Sequence, residues 1–483
     1  MTAKRPSFGR VTATALLLLS TSLSGQAMAE TLQGALAKAY ASNPTLTGAR
    51  AGQRATDENV PLQKASGRPT AQSQLQFQEL VVRPSNSFLA PHRSASASVS
   101  IDVPIYQGGA VRNGVKAAKT RVEAGQANLR GTEASIFSQV VGAYMDVIRD
   151  SAIVSLNRAN VQVLEVNLQA TNDRFEVGDL TRTDVAQSQS RLALARSDLQ
   201  IAESNLITSR ENYIALVGDA PDALEAPPAL PGLPASPDTA VQIALADNPD
   251  ILAAQKAREA ARYDVKVAKA ATLPTLSGFT QGSYTDYLDP DIRENKQAAV
   301  GATLNLPLYQ GGRPAAQVRQ RQAQESQAIE QTIEIERSVI AQTRAAYASW
   351  QASLQTIQSN QTAVDASSLS LEGVRAENSV GSRTILDILD AEQEALNARV
   401  QLVTARRNAY VAGFSLLAAM GHAEADDLGL ASGALYDPIV PYEAVRGKWF
   451  DWDYGPTPVP VATRTVDTVP QNANVSPEMA RQP

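Results

Sequence analysis

The segment IDVPIYQGG, from Ile101 to Gly109, is written a second time as LNLPLYQGG, from Leu304 to Gly312, so that Tyr106 and Tyr309 stand 203 residues apart (309 − 106). Further pairs share this spacing or one close to it. AYASNPTL (Ala39–Leu46) resembles ALADNPDI (Ala244–Ile251), VGDLTRTDV resembles VGSRTILDI, Tyr144 falls on Tyr347, and Gly218 falls on Gly421. Self-similarity on this scale predicts two internal structural repeats. Whatever one half folds into, the other half must fold into as well.

Proline placement says what a half contains. None of the 26 prolines lies between Pro104 and Pro221 or between Pro314 and Pro438, and because proline costs about 3 kcal/mol inside a helix, these gaps are where long helices fit. Within the first gap Val140, Val147, Val154, Val161, Leu168 and Phe175 recur every seven residues, as do Val185, Leu192, Leu199, Leu206 and Tyr213 on the returning segment. The second gap carries Trp350, Ile357, Val364 and Leu371, then Leu389, Leu396, Val403, Tyr410 and Leu417. Sustained heptads predict helices packed as coiled coils. A helix from Ala110 to Glu176 would extend roughly 100 Å, too long for an ordinary globular bundle. Val177-Gly178 and Val380-Gly381 supply the turns, glycine accepting the left-handed conformation that ends a helix. Each half thus yields a long antiparallel helical hairpin.

Ahead of each hairpin the period changes to two. AQSQLQFQELVV and SASASVSIDVPIY, then TLSGFTQGSYTDYL and QAAVGATLNLPLY, alternate apolar with small or polar residues, and place Leu75, Phe77, Val99, Ile101 and Val103 on one face. Four strands in two hairpins follow, with the weak alternation typical of transmembrane barrels. Gly108-Gly109 and Gly311-Gly312 turn each last strand into a helix, Pro104 and Pro307 are expected at the strand ends, and Tyr106 and Tyr309 are expected near a membrane boundary. An open four-stranded sheet is untenable in lipid, where each unpaired backbone group costs several kcal/mol. The barrel must be completed by other copies: two would give about eight strands and a filled interior, three about twelve and a lumen.

The remaining features bound the class of function. MTAKRPSFGRVTATALLLLSTSLSGQAMAE has the basic start, short apolar core and small-residue cleavage site of an export signal over residues 1–29, too short to span a bilayer. A net charge of −6 with no long basic run argues against nucleic acid. The absence of cysteine removes disulfides, thiolate metal sites and thiol nucleophiles. His92 and His422, the two histidines, are too far apart in sequence and context to suggest a metal site or catalytic triad, so neither an enzyme nor a cofactor is expected.

With both P-apolar-Y-Q-G-G junctions, RFEVGDLTRTDV and VGSRTILDILDAEQEALNA in view, the chain resembles the TolC-type outer-membrane channel family of Gram-negative bacteria from Glu30 to about Leu430. The resemblance implies an α+β membrane protein: a homotrimer whose twelve-stranded transmembrane β-barrel continues into an α-helical coiled-coil tunnel across the periplasm. It implies a passive exit duct for efflux or type I secretion, working with a periplasmic adaptor and an inner-membrane pump of the ABC or RND type, with outer-membrane lipid around the barrel. The expected layout is a signal over 1–29, repeat 1 over 30–220, a proline-rich linker over 221–237, repeat 2 over 238–430, and a proline-rich, partly disordered tail over 431–483.

The resemblance also assigns a gate. Asp387 and Asp390, spaced i, i+3 on one helical face, also read as ordinary helix-start acids; the family pattern makes them carboxylate rings at the narrow periplasmic end that bind cations. Arg383, Thr183 and Asp184 take the positions of a releasable latch. Asn378 stands where the family often has a latch tyrosine, and is not given the tyrosine's role. The alternative is a periplasmic helical-hairpin adaptor of the same export machinery, although an adaptor would carry one hairpin flanked by β-rich domains.

Overall fold

The computed structural model describes residues 30–82, 92–289, 291–430 and 435–475. The expected export signal lies outside the described residues. Three short helices, α1 (Leu32–Ser42), α2 (Pro44–Asp57) and α3 (Asn59–Ala65), lead into β1 (Thr70–Glu79) and β2 (Arg93–Gln107), then α4 (Ala110–Glu176) and α5 (Arg182–Val217). The second half runs α6 (Pro237–Asp247), α7 (Pro249–Ala270), β3 (Thr275–Asp286), β4 (Asn295–Asn305), α8 (Arg313–Ser379) and α9 (Ile385–Met420), and a short α10 (Ile439–Val445) lies in the tail. The molecule is mostly helical with one small antiparallel sheet. The ends of α8 and α9 fall 203 residues beyond those of α4 and α5, as Arg313 and Ala110 illustrate (313 − 110).

The strands form one sheet in the order β1-β2-β3-β4. Leu75 stands opposite Ala97, Val99 opposite Gly282, and Thr280 opposite Val300. One face therefore gathers Leu75, Phe77, Val99, Ile101 and Val300, all exposed. The other carries Gln72, Gln74 and Gln76 opposite Ser100, Ser98 and Ser96. Pro104 departs from the expectation of a strand end: it lies inside β2, where the register slips between Pro104 and Tyr106. The reason is that β3 offers partners as far as Thr275, opposite Gln107, and the bulge accommodates the missing N–H. Pro307 lies beyond the end of β4.

The main core sits at mid-height, where α1 and residues 423–430 close over the middle of α4 and the ends of α5 and α9. Phe137, Tyr144, Tyr213, Phe414 and Leu417 are among its buried members. The Tyr144 hydroxyl lies 2.8 Å from the Glu30 carbonyl oxygen and 2.6 Å from that of Glu225, tying the start of the described chain to the linker. The burden of burial is uneven. Along its 67 residues α4 buries positions from Gly114 to Thr171, whereas α8, of equal length, buries Pro314, Thr332, Val339, Thr343, Ser367 and Leu371.

The Asn-Pro pairs noted in the sequence fasten each short helix to the long hairpin behind it. Asn248 Oδ1 accepts the amides of Asp250 and Ile251 at the start of α7, Pro249 fills the first helical position, and Asn248 Nδ2 donates to the Ala419 carbonyl at 3.0 Å. Asn43 does the same for α2 and the Leu216 carbonyl at 2.9 Å. Opposite Asn248, Gly421 ends α9 at φ +85°, and a Cβ there would sit 2.6 Å from the Asp247 carbonyl oxygen. Asn248→Ala removes a cap and leaves buried backbone groups unpaired, a loss of about 2 kcal/mol. The expected result is a lower helix-melting temperature by circular dichroism in detergent, with Asn248→Asp intermediate because it keeps the cap acceptor.

Glu133 on α4 accepts the Ala425 amide at 2.7 Å, and burial pushes its carboxyl up to about 7 from an ordinary 4.5, with Glu424 nearby adding to the rise. Between these values the folded chain holds a proton that the unfolded chain has released, so stability falls as pH rises through that window. Glu133→Gln should flatten this dependence in denaturation curves taken from pH 4 to 8.

The tail, expected to be proline-rich and partly disordered over 431–483, is docked on the rest of the chain over its described residues. Over the described residues it runs along the wall: Tyr442 packs on Val60, Ala118 and Val122, and Arg210 donates to the carbonyls of Asn472 and Asn474. These attachments use backbone carbonyls and single aromatics, Leu435, Ala473 and Val475 add apolar contact with the main core, and α10 buries no residue. Polar, proline-rich composition does not forbid docking of this kind.

Candidate gate at the helix tips

Both hairpins turn in the same way. Gly178 and Gly381, each at φ +82°, follow the last residues of α4 and α8. The amides of Asp179 and Ser382 reach back to the carbonyls of Arg174 and Glu377, so the tight turn satisfies the helix ends. Three residues past each glycine, a Thr-x-x-Asp box opens the returning helix: Asp184 accepts the Thr181 amide at 2.8 Å and its hydroxyl at 2.7 Å, and Asp387 accepts the same two groups of Thr384 at the same distances. Charged acceptors at a helix start are favoured by its dipole. Hydrogen bonding from Thr384, then the nearby Arg383, holds the Asp387 carboxyl below the usual carboxylate range. Asp184 is lowered in the same way by Thr181.

The structure separates the expected latch residues within one copy. Arg383 Nε donates to Glu377 at 2.8 Å, and its Nη1 stands 3.9 Å from Asp387; it meets neither Thr183 nor Asp184. Asp184 is occupied by its own capping box, and Thr183 is exposed. Asn378 donates to the Arg383 carbonyl at 2.8 Å and so braces the turn. Asp387 and Asp390 also part company, since Asp387 folds back on Thr384 while Asp390 pairs with Arg191 of α5.

Arg191 is the residue sequence reading missed. Its pair with Asp390 crosses from the first hairpin to the second, over a small apolar cluster of Val161, Leu164, Leu192, Ala195 and Leu389 drawn from α4, α5 and α9. A second pair, Arg375 with the mostly buried Glu392, ties α8 to α9 just above. Of the two candidate gate carboxylates, Asp387 carries a cap, and Asp390 is balanced by a guanidinium from the other hairpin. Among the described residues no group of His, Asp and Glu side chains is arranged to hold a metal ion within one copy.

The family of outer membrane efflux proteins matches residues 35–219 and 240–422. Outer membrane efflux protein BepC of Brucella suis is 36% identical over 91% of this chain and 95% of its own length. Outer membrane protein TolC of Escherichia coli is 29% identical over 62% of this chain and 63% of its own. Among solved structures, the CmeC outer membrane channel of Campylobacter jejuni superposes with a TM-score of 0.73 at 15% identity, covering 86% of this chain and 89% of that one. The outer membrane protein VceC of Vibrio cholerae gives 0.69 at 22%, covering 81% and 96%. The adaptor alternative is set aside, because the match takes in both hairpins and both strand pairs.

Proposed function

The chain belongs to the outer membrane efflux protein family, and on that premise we propose that it is the passive, gated exit duct of an efflux or type I secretion system in a Gram-negative outer membrane. Three copies, each a duplicated unit, give four strands apiece to one twelve-stranded β-barrel, and their hairpins continue it as a coiled-coil tunnel into the periplasm. A periplasmic adaptor and an inner-membrane ABC or RND-type pump supply energy and cargo. The carrying observation is the sheet: one face is apolar and exposed, the other is lined by Gln and Ser, and β1 and β4 each pair on one side alone. Such edges are tolerated in lipid only when other strands cover them, and twelve strands leave room for a lumen. Conductance in planar bilayers together with cross-linking of detergent-extracted membranes tests the reading; a non-conducting monomer would overturn it.

The tips form the gate. Three copies bring Asp387 and Asp390 into rings that attract cations, and the Arg191–Asp390 pair holds the two hairpins of each copy together in the closed state. Exposed ion pairs contribute about 1 kcal/mol or less, which suits a latch that a docking partner must release. Arg191→Ala and Arg383→Ala should each raise single-channel conductance, and Arg191→Ala the more, because it severs a link between hairpins. Unchanged conductance in both variants would remove these residues from the latch.

A further inference from the structure

The two strand-to-helix turns are alike in sequence and unlike in surroundings. A Cβ on Gly108 would meet the Ala270 carbonyl oxygen at 2.8 Å and Leu273 Cβ at 2.9 Å, whereas a Cβ on Gly311 would meet nothing within 4 Å. The neighbours of Gly108 come from the approach to β3, and the chain carries that approach twice: VPLQKASGRPT (Val60–Thr70) corresponds to VKVAKAATLPT (Val265–Thr275) at a spacing of 205 (265 − 60). Val60 and Val265 are both buried. Ala65 thus corresponds to Ala270, Arg68 to Leu273 and Thr70 to Thr275. Since Thr275 pairs with Gln107, the equivalent Thr70 falls opposite Gln310 once β1 of one copy pairs with β4 of the next. Gly311 of that second copy then seats on Ala65 and Arg68.

Where the inner contact has leucine, the seam has an arginine, and the tail comes to meet it. The Arg68 guanidinium lies 4.3 Å over the Trp449 ring and Nη1 donates to the Lys448 carbonyl at 2.7 Å. Lys64 donates to the Arg446 carbonyl at 2.6 Å. Beyond this pin Phe450 is left 77% exposed and Trp452 81% exposed. On the opposite edge Leu308 is 96% exposed and Tyr309 88%, against 60% and 50% for their counterparts Ile105 and Tyr106.

We infer that the tail segment 446–454 is a clasp between copies, pinned to its own copy by Arg68 and Lys64 and laid across the seam onto Leu308 and Tyr309 of the next. The inference rests on the trimeric reading above. A second copy fits this segment better than a lipid surface. The pin stands at the seam, Asp453 is held within the segment by Lys448 at 3.0 Å, and Asp451, between Phe450 and Trp452, finds its complement in the exposed Arg313 beside Gly312 of the next copy. Desolvated aromatic and arginine anchors are the side chains that dominate interface energies.

The chain lacks cysteine, so engineered pairs report single contacts in the full-length protein assembled in membranes. Oxidation of Phe450→Cys combined with Leu308→Cys should give a ladder of dimers and trimers on non-reducing gels, and Thr70→Cys combined with Gln310→Cys should give a ladder that reports barrel closure alone. Both ladders together support the clasp. A Thr70/Gln310 ladder without a Phe450/Leu308 ladder, the result repeating when Trp452→Cys replaces Phe450→Cys, overturns it, and tryptophan quenching by brominated phospholipid would then give the segment to the bilayer. If neither pair forms a ladder, the trimeric reading fails and the clasp with it.

Discussion

Val99→Arg removes the protein from the outer membrane, whereas Ser98→Arg, one residue away, leaves assembly intact. Val99 lies mid-strand in β2, between Ser73 and Gly282, on the face shared with Leu75 and Val300. A guanidinium on the lipid face costs about 2–4 kcal/mol at the bilayer midplane, and the proposed barrel would carry it three times. Ser98 lies on the opposite face, next to Gln74 and Ser283, where the same charge meets water and alters ion selectivity. The readout is the fraction of heat-modifiable, detergent-resistant oligomer in outer-membrane fractions. Equal loss in the two variants would reverse or abolish the assignment of faces.

Asp387→Asn combined with Asp390→Asn abolishes block of the open channel by divalent and trivalent cations. Asparagine is the informative replacement at 387, because its side-chain oxygen still accepts from Thr384 and the helix start survives, so the ring loses charge without losing shape. The singles should differ. Asp390 is balanced by Arg191, so Asp387→Asn should weaken block by about tenfold or more, and Asp390→Asn should weaken it less. Arg191→Ala should strengthen block by freeing Asp390. Because hydrogen bonds from Thr384 depress the Asp387 carboxyl, block should persist as pH falls through the ordinary carboxylate range. Block of equal affinity in the double variant would take the cation site away from the tips.

The local grammar of the chain was legible, and the long-range pairings were not. Ala110–Glu176 emerges with the same limits in sequence and structure because its ends are written in glycines, and a heptad repeat fills the interval. The capping roles of Asp184 and Asp387 were also written, as Thr-x-x-Asp three residues past each Val-Gly; reading the acids by charge alone hid the hydrogen bonds that occupy them. Arg191 and Asp390 stand 199 positions apart, and their meeting depends on which helix lies beside which, information that no heptad contains. The docked tail escaped notice for a different reason. Composition measures apolar content, whereas Arg50, Arg68 and Arg210 hold that segment by stacking on Tyr436 and Trp449 and by donating to carbonyls. Pro104 was misplaced because the length of a neighbouring strand, not the proline, decides where pairing stops.

The contrast between α4 and α8 bears on how such a chain matures. A helix of 67 residues with six buried positions packs on α9, α7 and α6 but leaves most of its length uncovered. In a solitary subunit this half should therefore open more readily than the α4 half and be cut first by proteases. Lasting order would come with partners, and its onset would depend on concentration. Newly exported subunits would then race between encounter and degradation, and the yield of finished channels would rise more steeply than the rate of synthesis.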